Sequence, residues 1–367
     1  MKSMSQPVPQ RFRSLDFFRG LTMFLLVAEA TGIYNQLIAP STEGSFIHTI
    51  GQQFHHHPWH GLRFWDLIQP YFMFIVGVAI PFSVASRRKR GQDEKQIKRH
   101  AYRRALLLLL LGWGLYCVGP GHIVFKFQNV LAQLSVTYLV AFLIKDFSFK
   151  SQLTISLLIL LAVELIYRFF PVAGFDQPFT PNENFGTWLD LQYGGADLGG
   201  HWVSFNAFPT TAHTIWGVLA GKLLQSSIAA QEKLKYLLIA GICGVVIGHG
   251  LDFVTPIIKR ISTSSFVIAS GGWTVLSLAL CFWLIDMKKW SRGVQIFIIV
   301  GMNSLFIYLF THLGGADFIR AFVAPFTNSL LGWIGDTALL FVTNSIVLGL
   351  LWYLCYWLYR NRLFIKI

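Results

Sequence analysis

Long apolar stretches alternate with short polar breaks along nearly the whole chain. The pattern predicts helices at approximately 14–35, 65–86, 104–120, 127–145, 151–170, 206–225, 235–251, 265–286, 294–313 and 336–358. Each approaches the roughly 20 residues needed to cross hydrocarbon, where backbone groups must be satisfied within the segment. The stretch 317–333 admits three readings: a loop, a re-entrant segment or an eleventh helix. The longest polar stretches are 36–64 and 171–205. No short-period repeat or low-complexity linker interrupts the series, so residues 1–367 read as one all-α integral membrane domain of about ten spans.

Composition agrees with the pattern. Of 367 residues 54% are hydrophobic and 13% charged, against roughly a quarter charged in a soluble domain. A disordered tail, a disulfide scaffold and an ordinary cytosolic enzyme are excluded. The four cysteines, Cys117, Cys243, Cys281 and Cys355, all fall in apolar segments and suggest neither a disulfide nor a metal framework. The first apolar stretch follows a polar leader and carries Asp16, Arg19 and Glu29, unlike a cleavable signal peptide.

The net charge of +13 acquires a meaning once it is located. With the N-terminus inside, 23 of the 30 Lys and Arg residues fall on cytoplasmic flanks, nine of them in the basic loop 87–104. This is a positive-inside pattern with both termini cytoplasmic. The charge therefore reads as topology facing anionic lipid, with a secondary role in holding a phosphorylated cytosolic cofactor, and not as a nucleic-acid signal.

Charges at membrane depth need partners or a watery cavity. Asp16 and Arg19, three residues apart, either form an internal ion pair that locks the first helix or line a polar passage. Glu29 lies further along that helix, and Asp66 opens the next, where a carboxylate suits the helix dipole or orients a neighbouring histidine. Glu164 and Asp286 lie near helix ends and read as interfacial.

Before Asp66 comes HHHPWHGLRFWDLIQP, with His55, His56, His57 and His60 close together and His48 upstream. Three readings compete: a general base or acyl carrier, a metal site, and an exposed loop without chemistry. Few acidic residues lie nearby and no HExxH or Cys/His spacing is present, which weakens the metal reading. GxSxG, Walker and GxGxxG motifs are absent as well. Trp59, Trp65, Trp188, Tyr193 and Trp202 fit either sugar stacking or an interfacial aromatic belt. The stretch YGGADLGGHW reads as a mobile lid or an irregular loop.

Several segments carry a family resemblance: RSLDFFRGLTMFLL, HHPWHGLRFWDLIQPYFMFIVGVAIPFS, NFGTWLD, PTTAHTIWGVLAGKLL, PIIKRISTSSFV, GMNSLFIY and the terminal Lys366-Ile367. The chain resembles the heparan-α-glucosaminide N-acetyltransferase family of transmembrane acyltransferases, in a bacterial-type form. The resemblance implies acetyl-CoA as cytosolic donor, an amino sugar or glycan as acceptor, no metal, a homodimer, and a place in a bacterial inner membrane. It implies His56 as the active-site histidine, with Asp66 beside it. For the donor it implies Lys366 at the pyrophosphate, and Lys259, Thr263, Ser265 and Asn303 along the same cavity. The candidates on the acceptor side are Trp59, by stacking, His60 as a neighbour of His56, and Glu29 and Asp190, which stand where the chain departs from the family. Three places depart from the family pattern: Ala28-Glu29 in the first helix, the segment Asn129 to Gln133, and Asp190-Leu191. Two rival functions stay open: a sugar transporter or flippase without chemistry, and O-acetylation of a glycan hydroxyl.

Overall fold

The computed structural model describes residues 12–365. The first half holds α1 (Arg13–Ala30), α2 (Ile33–Leu37), α3 (Phe46–Gln52), α4 (Ile68–Lys89), α5 (Glu94–Val118), α6 (Val130–Leu143), α7 (Phe149–Arg168) and α8 (Phe185–Gln192). The second holds α9 (Thr211–Gln225), α10 (Ala230–Gly250), α11 (Ser264–Cys281), α12 (Val294–Met302), α13 (Ser304–His312), α14 (Gly315–Leu331) and α15 (Asp336–Arg360). Among the described residues there is no β-strand, only a single bridge between His60 and Ile258.

Each apolar segment coincides with a helix, but the helices are of different kinds. Six among the described residues are long and apolar enough to cross a membrane: Phe64–Lys89, Glu94–Val118, Phe149–Arg168, Ala230–Phe253, Ser264–Met287 and Asp336–Arg360. The segment 294–313, read as one helix, is two helices bent by 73° at Asn303, and together they make a seventh candidate. The other three segments are a charged helix, α1, and the shorter α6 and α9. α9 lies deep in the bundle, with Ala212, Ile215 and Val218 fully buried. The stretch 317–333 is helical: α14 carries it to Leu331, and a 3-10 turn, Gly332–Ile334, follows. Most of 87–104 is also helix, because α4 runs to Lys89 and α5 starts at Glu94, leaving only a four-residue turn. Asp93 begins α5 as a capping box: its carboxylate accepts from Gln96 N–H at 2.7 Å, and the Gln96 side chain accepts from Asp93 N–H at 3.2 Å.

Glycines set the closest helix contacts. A Cβ on Gly77 would run into the Thr214 carbonyl, and one on Gly217 into the Phe74 carbonyl. α4 and α9 therefore pack backbone to backbone, as small residues permit inside membranes. Asp286 has a structural task. It lies in the π-type turn Phe282–Met287 and reaches the start of α1, where it accepts from Arg13 N–H at 3.1 Å and from the Ser14 hydroxyl. A carboxylate there satisfies orphan helix donors and complements the dipole.

Candidate functional site

The site is assembled where the first polar loop meets the segment before α11. Gly61 is the hinge of that meeting. Its φ of 142° lies outside the range comfortable for other residues, and a Cβ there would strike the His57 ring. Gly61 N–H donates to the Ile257 carbonyl at 2.8 Å, and His60 bridges to Ile258. This docking carries Lys259 to His56 across 203 positions of sequence.

Asp66 organises the loop. It is fully buried in the turn Phe64–Leu67. One oxygen lies 2.9 Å from His56 Nδ1; the other accepts from Arg63 N–H at 2.9 Å and His57 N–H at 3.2 Å. The ionised carboxylate can only accept, so it favours the imidazole tautomer with its hydrogen on Nδ1. Nε2 is then left with the lone pair. About a third of the His56 side chain (32%) remains exposed, so the ring is reachable.

Lys259 completes a triad of titratable groups. Its buried Nζ lies 3.1 Å from His56 Nδ1 and 3.8 Å from Asp66. Burial, and next the Lys259 ammonium, push His56 down to about 4, against the pull of Asp66. Burial pushes Lys259 itself down to about 8, opposed by Asp66 and Glu29. At neutral pH the imidazole is therefore uncharged beside a largely protonated lysine. Trp202 closes one side, its ring 5.2 Å from that of His56 and beneath the Lys259 and Arg260 cations. Arg260 also donates to the Gly200 carbonyl, which ties the glycine-rich loop to this wall.

His56, Lys259 and Trp202 line a cavity of about 230 Å³ with Glu29, Trp65, Gln69, Gln128, Tyr308 and His312. Glu29 accepts from Trp65 Nε1 at 2.9 Å. A second cavity, of about 310 Å³, abuts it and shares Phe72, Val130 and Tyr308. Its walls include Arg19, Arg104 and Ile365. α4 faces both: Ile68, Gln69 and Phe72 line the first, and Phe72, Ile75, Val76 and Ala79 the second. That three-to-four spacing is one face of one helix.

The remaining sequence-derived candidates divide. Glu29 joins His56, Asp66 and Lys259, but Lys259 sits at the imidazole, away from the basic end of the bundle. Trp59 and His60 lie outside the cavity: Trp59 donates to the Phe179 carbonyl at 2.8 Å, and His60 meets Asp252 at 2.8 Å. Asp190 is buried one layer behind, accepting from Gln128 Nε2 at 2.8 Å and from the Tyr193 hydroxyl, so it reaches the cavity only through Gln128. Thr263 and Ser265 are buried and bonded to each other at 3.1 Å, and Thr263 accepts from Ile258 N–H, so they hold the turn that presents Lys259. Asn303 sits at the α12–α13 break and holds the end of the chain, donating to the Leu363 carbonyl at 3.0 Å and accepting from Ile365 N–H at 3.1 Å. Asp16 and Arg19 approach to 3.9 Å, and Arg19 also faces the second cavity. Lys366 lies outside the described residues. Sequence reasoning missed Gln69, Gln128, Tyr308 and His312. Only the last pair left a signal, two polar aromatics four positions apart whose rings stack at 3.9 Å. Among the described residues no group of three or more His, Cys, Asp and Glu side chains is arranged to hold a metal ion.

Comparison with known proteins gives a consistent picture. The family model described as "Heparan-alpha-glucosaminide N-acetyltransferase, catalytic" matches residues 11–251. The mouse protein named heparan-alpha-glucosaminide N-acetyltransferase is 31% identical over 145 residues, which is 38% of this chain and 20% of the mouse protein. The human protein of that name is 32% identical over 138 residues, 36% of this chain and 19% of the human protein. The match thus spans about a fifth of the length of these curated relatives.

Proposed function

The chain belongs to the heparan-alpha-glucosaminide N-acetyltransferase family, and from that premise we propose that it is a transmembrane acetyltransferase moving an acetyl group from acetyl-CoA to an amino sugar. The reading has the ten apolar segments cross the cytoplasmic membrane of a bacterium, with both termini inside and His56 at the outer face. One observation carries it: a single face of α4 lines two abutting cavities, from the His56 chamber toward the arginine-bearing end of the bundle. Gln69 and Arg87 are 18 helical positions apart, about 27 Å at 1.5 Å per residue. A CoA nucleotide is too charged to enter lipid, whereas its pantetheine arm is slim and long enough to follow such a track.

The chemistry follows from the triad. His56 Nε2 takes a proton from the acceptor amine as its nitrogen attacks the thioester carbonyl. The carbonyl oxygen gains negative charge in the tetrahedral intermediate, and the Lys259 ammonium is the nearest cation to stabilise it. The intermediate collapses with loss of the CoA thiolate, which leaves with the proton held by the imidazole. Asp66 fixes the ring and offsets the charge it gains. Asn303 and Ser265 are too occupied elsewhere to serve as oxyanion donors. Glu29, on the chamber wall, can accept a hydrogen bond from the neutral amine of the incoming sugar and so orient its lone pair.

Purified protein incubated with acetyl-CoA and a panel of amino sugars tests the reading. Free thiol should appear only with an acceptor and disappear in His56→Ala. If no acceptor releases thiol while sealed vesicles accumulate the sugar, transport replaces acetyl transfer. If hydroxyl-only sugars release thiol and amino sugars do not, the acceptor group is an oxygen.

A further inference from the structure

Gln128 lines the His56 chamber and is only 7% exposed. Its Nε2 spends both hydrogens on the layer behind, donating to the Asp190 carboxylate at 2.8 Å and to the Gly195 carbonyl at 2.7 Å. A carboxylate and a carbonyl can only accept. The amide therefore stands this way round, since a flipped amide would set its oxygen against two acceptors. Oε1 is left buried and without a hydrogen-bond partner among the described residues.

The surroundings keep it so. The Asp190 oxygen that holds Gln128 also accepts from Ser204 N–H at 2.9 Å, and the other oxygen accepts from the Tyr193 hydroxyl. Gly195 N–H donates to the Asp190 backbone carbonyl at 2.8 Å, and a Cβ on Gly195 would strike the Phe125 carbonyl. From the other side, Gln133 Nε2 donates to the Gln128 backbone carbonyl at 2.9 Å, and Gln69 donates to the Gln133 side chain. Gln128 is thus held at both its backbone and its amide, and cannot swing to satisfy its own oxygen.

A buried acceptor without a donor is costly, and a rigid frame that keeps one open suits a donor brought by a ligand. Gln128 lines the first cavity and not the second, so that donor belongs to the molecule that fills the His56 chamber. Oε1 is uncharged and accepts only, which matches a neutral O–H. Glu29 already stands for the amine, and a hydroxyl is left for Gln128.

Building on the amino-sugar reading above, we propose that Gln128 Oε1 accepts a hydrogen bond from one hydroxyl of the acceptor sugar, and that Asp190 is the positioning residue that keeps this oxygen turned to the chamber.

The test uses the full chain in detergent, with calorimetric titration of glucosamine and of analogues that each lack one hydroxyl. One analogue should bind the wild type roughly tenfold more weakly than glucosamine, the worth of one buried hydrogen bond. Gln128→Met, nearly equal in volume, should lose the same factor toward glucosamine and no longer discriminate against that analogue. Gln128→Asn draws the oxygen back by one methylene; it serves if Gln128→Met misfolds and should lose the same preference. Asp190→Ala should weaken glucosamine binding, and Asp190→Asn, whose oxygen still accepts from Gln128, should restore most of it. A merely structural role for Asp190 would lower binding of all the sugars alike. The assignment is overturned if Gln128→Met keeps the wild-type preference among the sugars, or if no analogue binds the wild type more weakly than glucosamine. It is also overturned if the loss appears for acetyl-CoA and for none of the sugars, since Gln128 would then hold the pantetheine arm. Thiol release from acetyl-CoA, measured on the same samples, separates the two readings. Release with an unchanged sugar preference in Gln128→Met leaves the transferase standing without this contact. Hydroxyl-selective binding without release leaves the contact standing without the transferase.

Discussion

At the scale of single residues, the site depends on burial and a neighbouring cation keeping one imidazole neutral while a carboxylate orients it. Asp66 receives Nδ1–H, and Lys259 opposes protonation of the ring. The sign of the pH dependence follows. Below about 4 His56 is protonated and has no lone pair, so activity rises as pH climbs through that value. Above about 8 Lys259 loses its proton, the oxyanion loses its cation, and activity falls. kcat/KM should therefore be bell-shaped between these limits. In Lys259→Met the alkaline limb should vanish and the acid limb should move upward, because the repelling ammonium is gone. An unchanged profile in that variant would remove Lys259 from the mechanism. Asp66→Asn keeps the side-chain volume but cannot offset imidazolium charge, so kcat should fall roughly 10²–10⁴-fold, the usual worth of a positioned acid–base group, with KM for acetyl-CoA nearly constant. Part of this was legible in the sequence. A histidine run ten positions before a first-turn aspartate is a short-range pattern, and His56 and Asp66 do meet. Trp59 and His60 belong to the same run but fall on the other side, because the turn at Gly61 sends them toward Phe179 and Asp252. Lys259 was visible as a basic residue in a polar stretch, but its partner was not, since only the docking of two distant loops decides it.

At the scale of elements, α4 turns one face to the two cavities and packs its glycine side against α9, which lines neither. Gly77→Val forces a side chain against the Thr214 backbone, which cannot move aside as a flexible side chain would. Overpacking of this kind costs about 1–3 kcal/mol, and Gly77→Val should lower the melting temperature in detergent. Ala79→Val, on the cavity side of the same helix, adds similar bulk into open space and should not. Equal melting of the two variants would show that the close approach carries no weight. The existence of the helices was readable because apolar length is a strong signal. Their character was less so. Hydrophobicity does not distinguish a helix facing lipid from one buried among others, so nothing in the sequence sets the deeply buried α9 apart. The break at Asn303 was hidden for a different reason: the backbone its amide bonds to, Leu363 and Ile365, lies about sixty positions away.

At the scale of the whole molecule, the proposed reaction has a direction that neither the residues nor the helices have alone. The triad lies at the start of α4, and Arg87 lies at its end with eight other basic residues in the following stretch to Arg104. In the proposed topology, which follows the positive-inside bias, that stretch faces the cytoplasm, and the proposed donor and acceptor then meet His56 from opposite sides of one membrane. Protein reconstituted into sealed liposomes with a single orientation should acetylate an amino sugar only when acetyl-CoA is supplied at the Arg87 side and the sugar at the His56 side. Acetyl-CoA on the His56 side alone should give no product, because its nucleotide would then have to cross the apolar walls of Phe72, Ile75, Val76 and Leu134 to reach the basic end. A bulky replacement midway, Val76→Trp, should block the slim arm within the second cavity, abolishing transfer from acetyl-CoA. It should leave the His56 chamber open, so that a short acetyl thioester added from the sugar side still reacts. Loss of both reactions would mean that the variant had disturbed the triad itself, and retention of both would mean that the thioester reaches His56 by some other path.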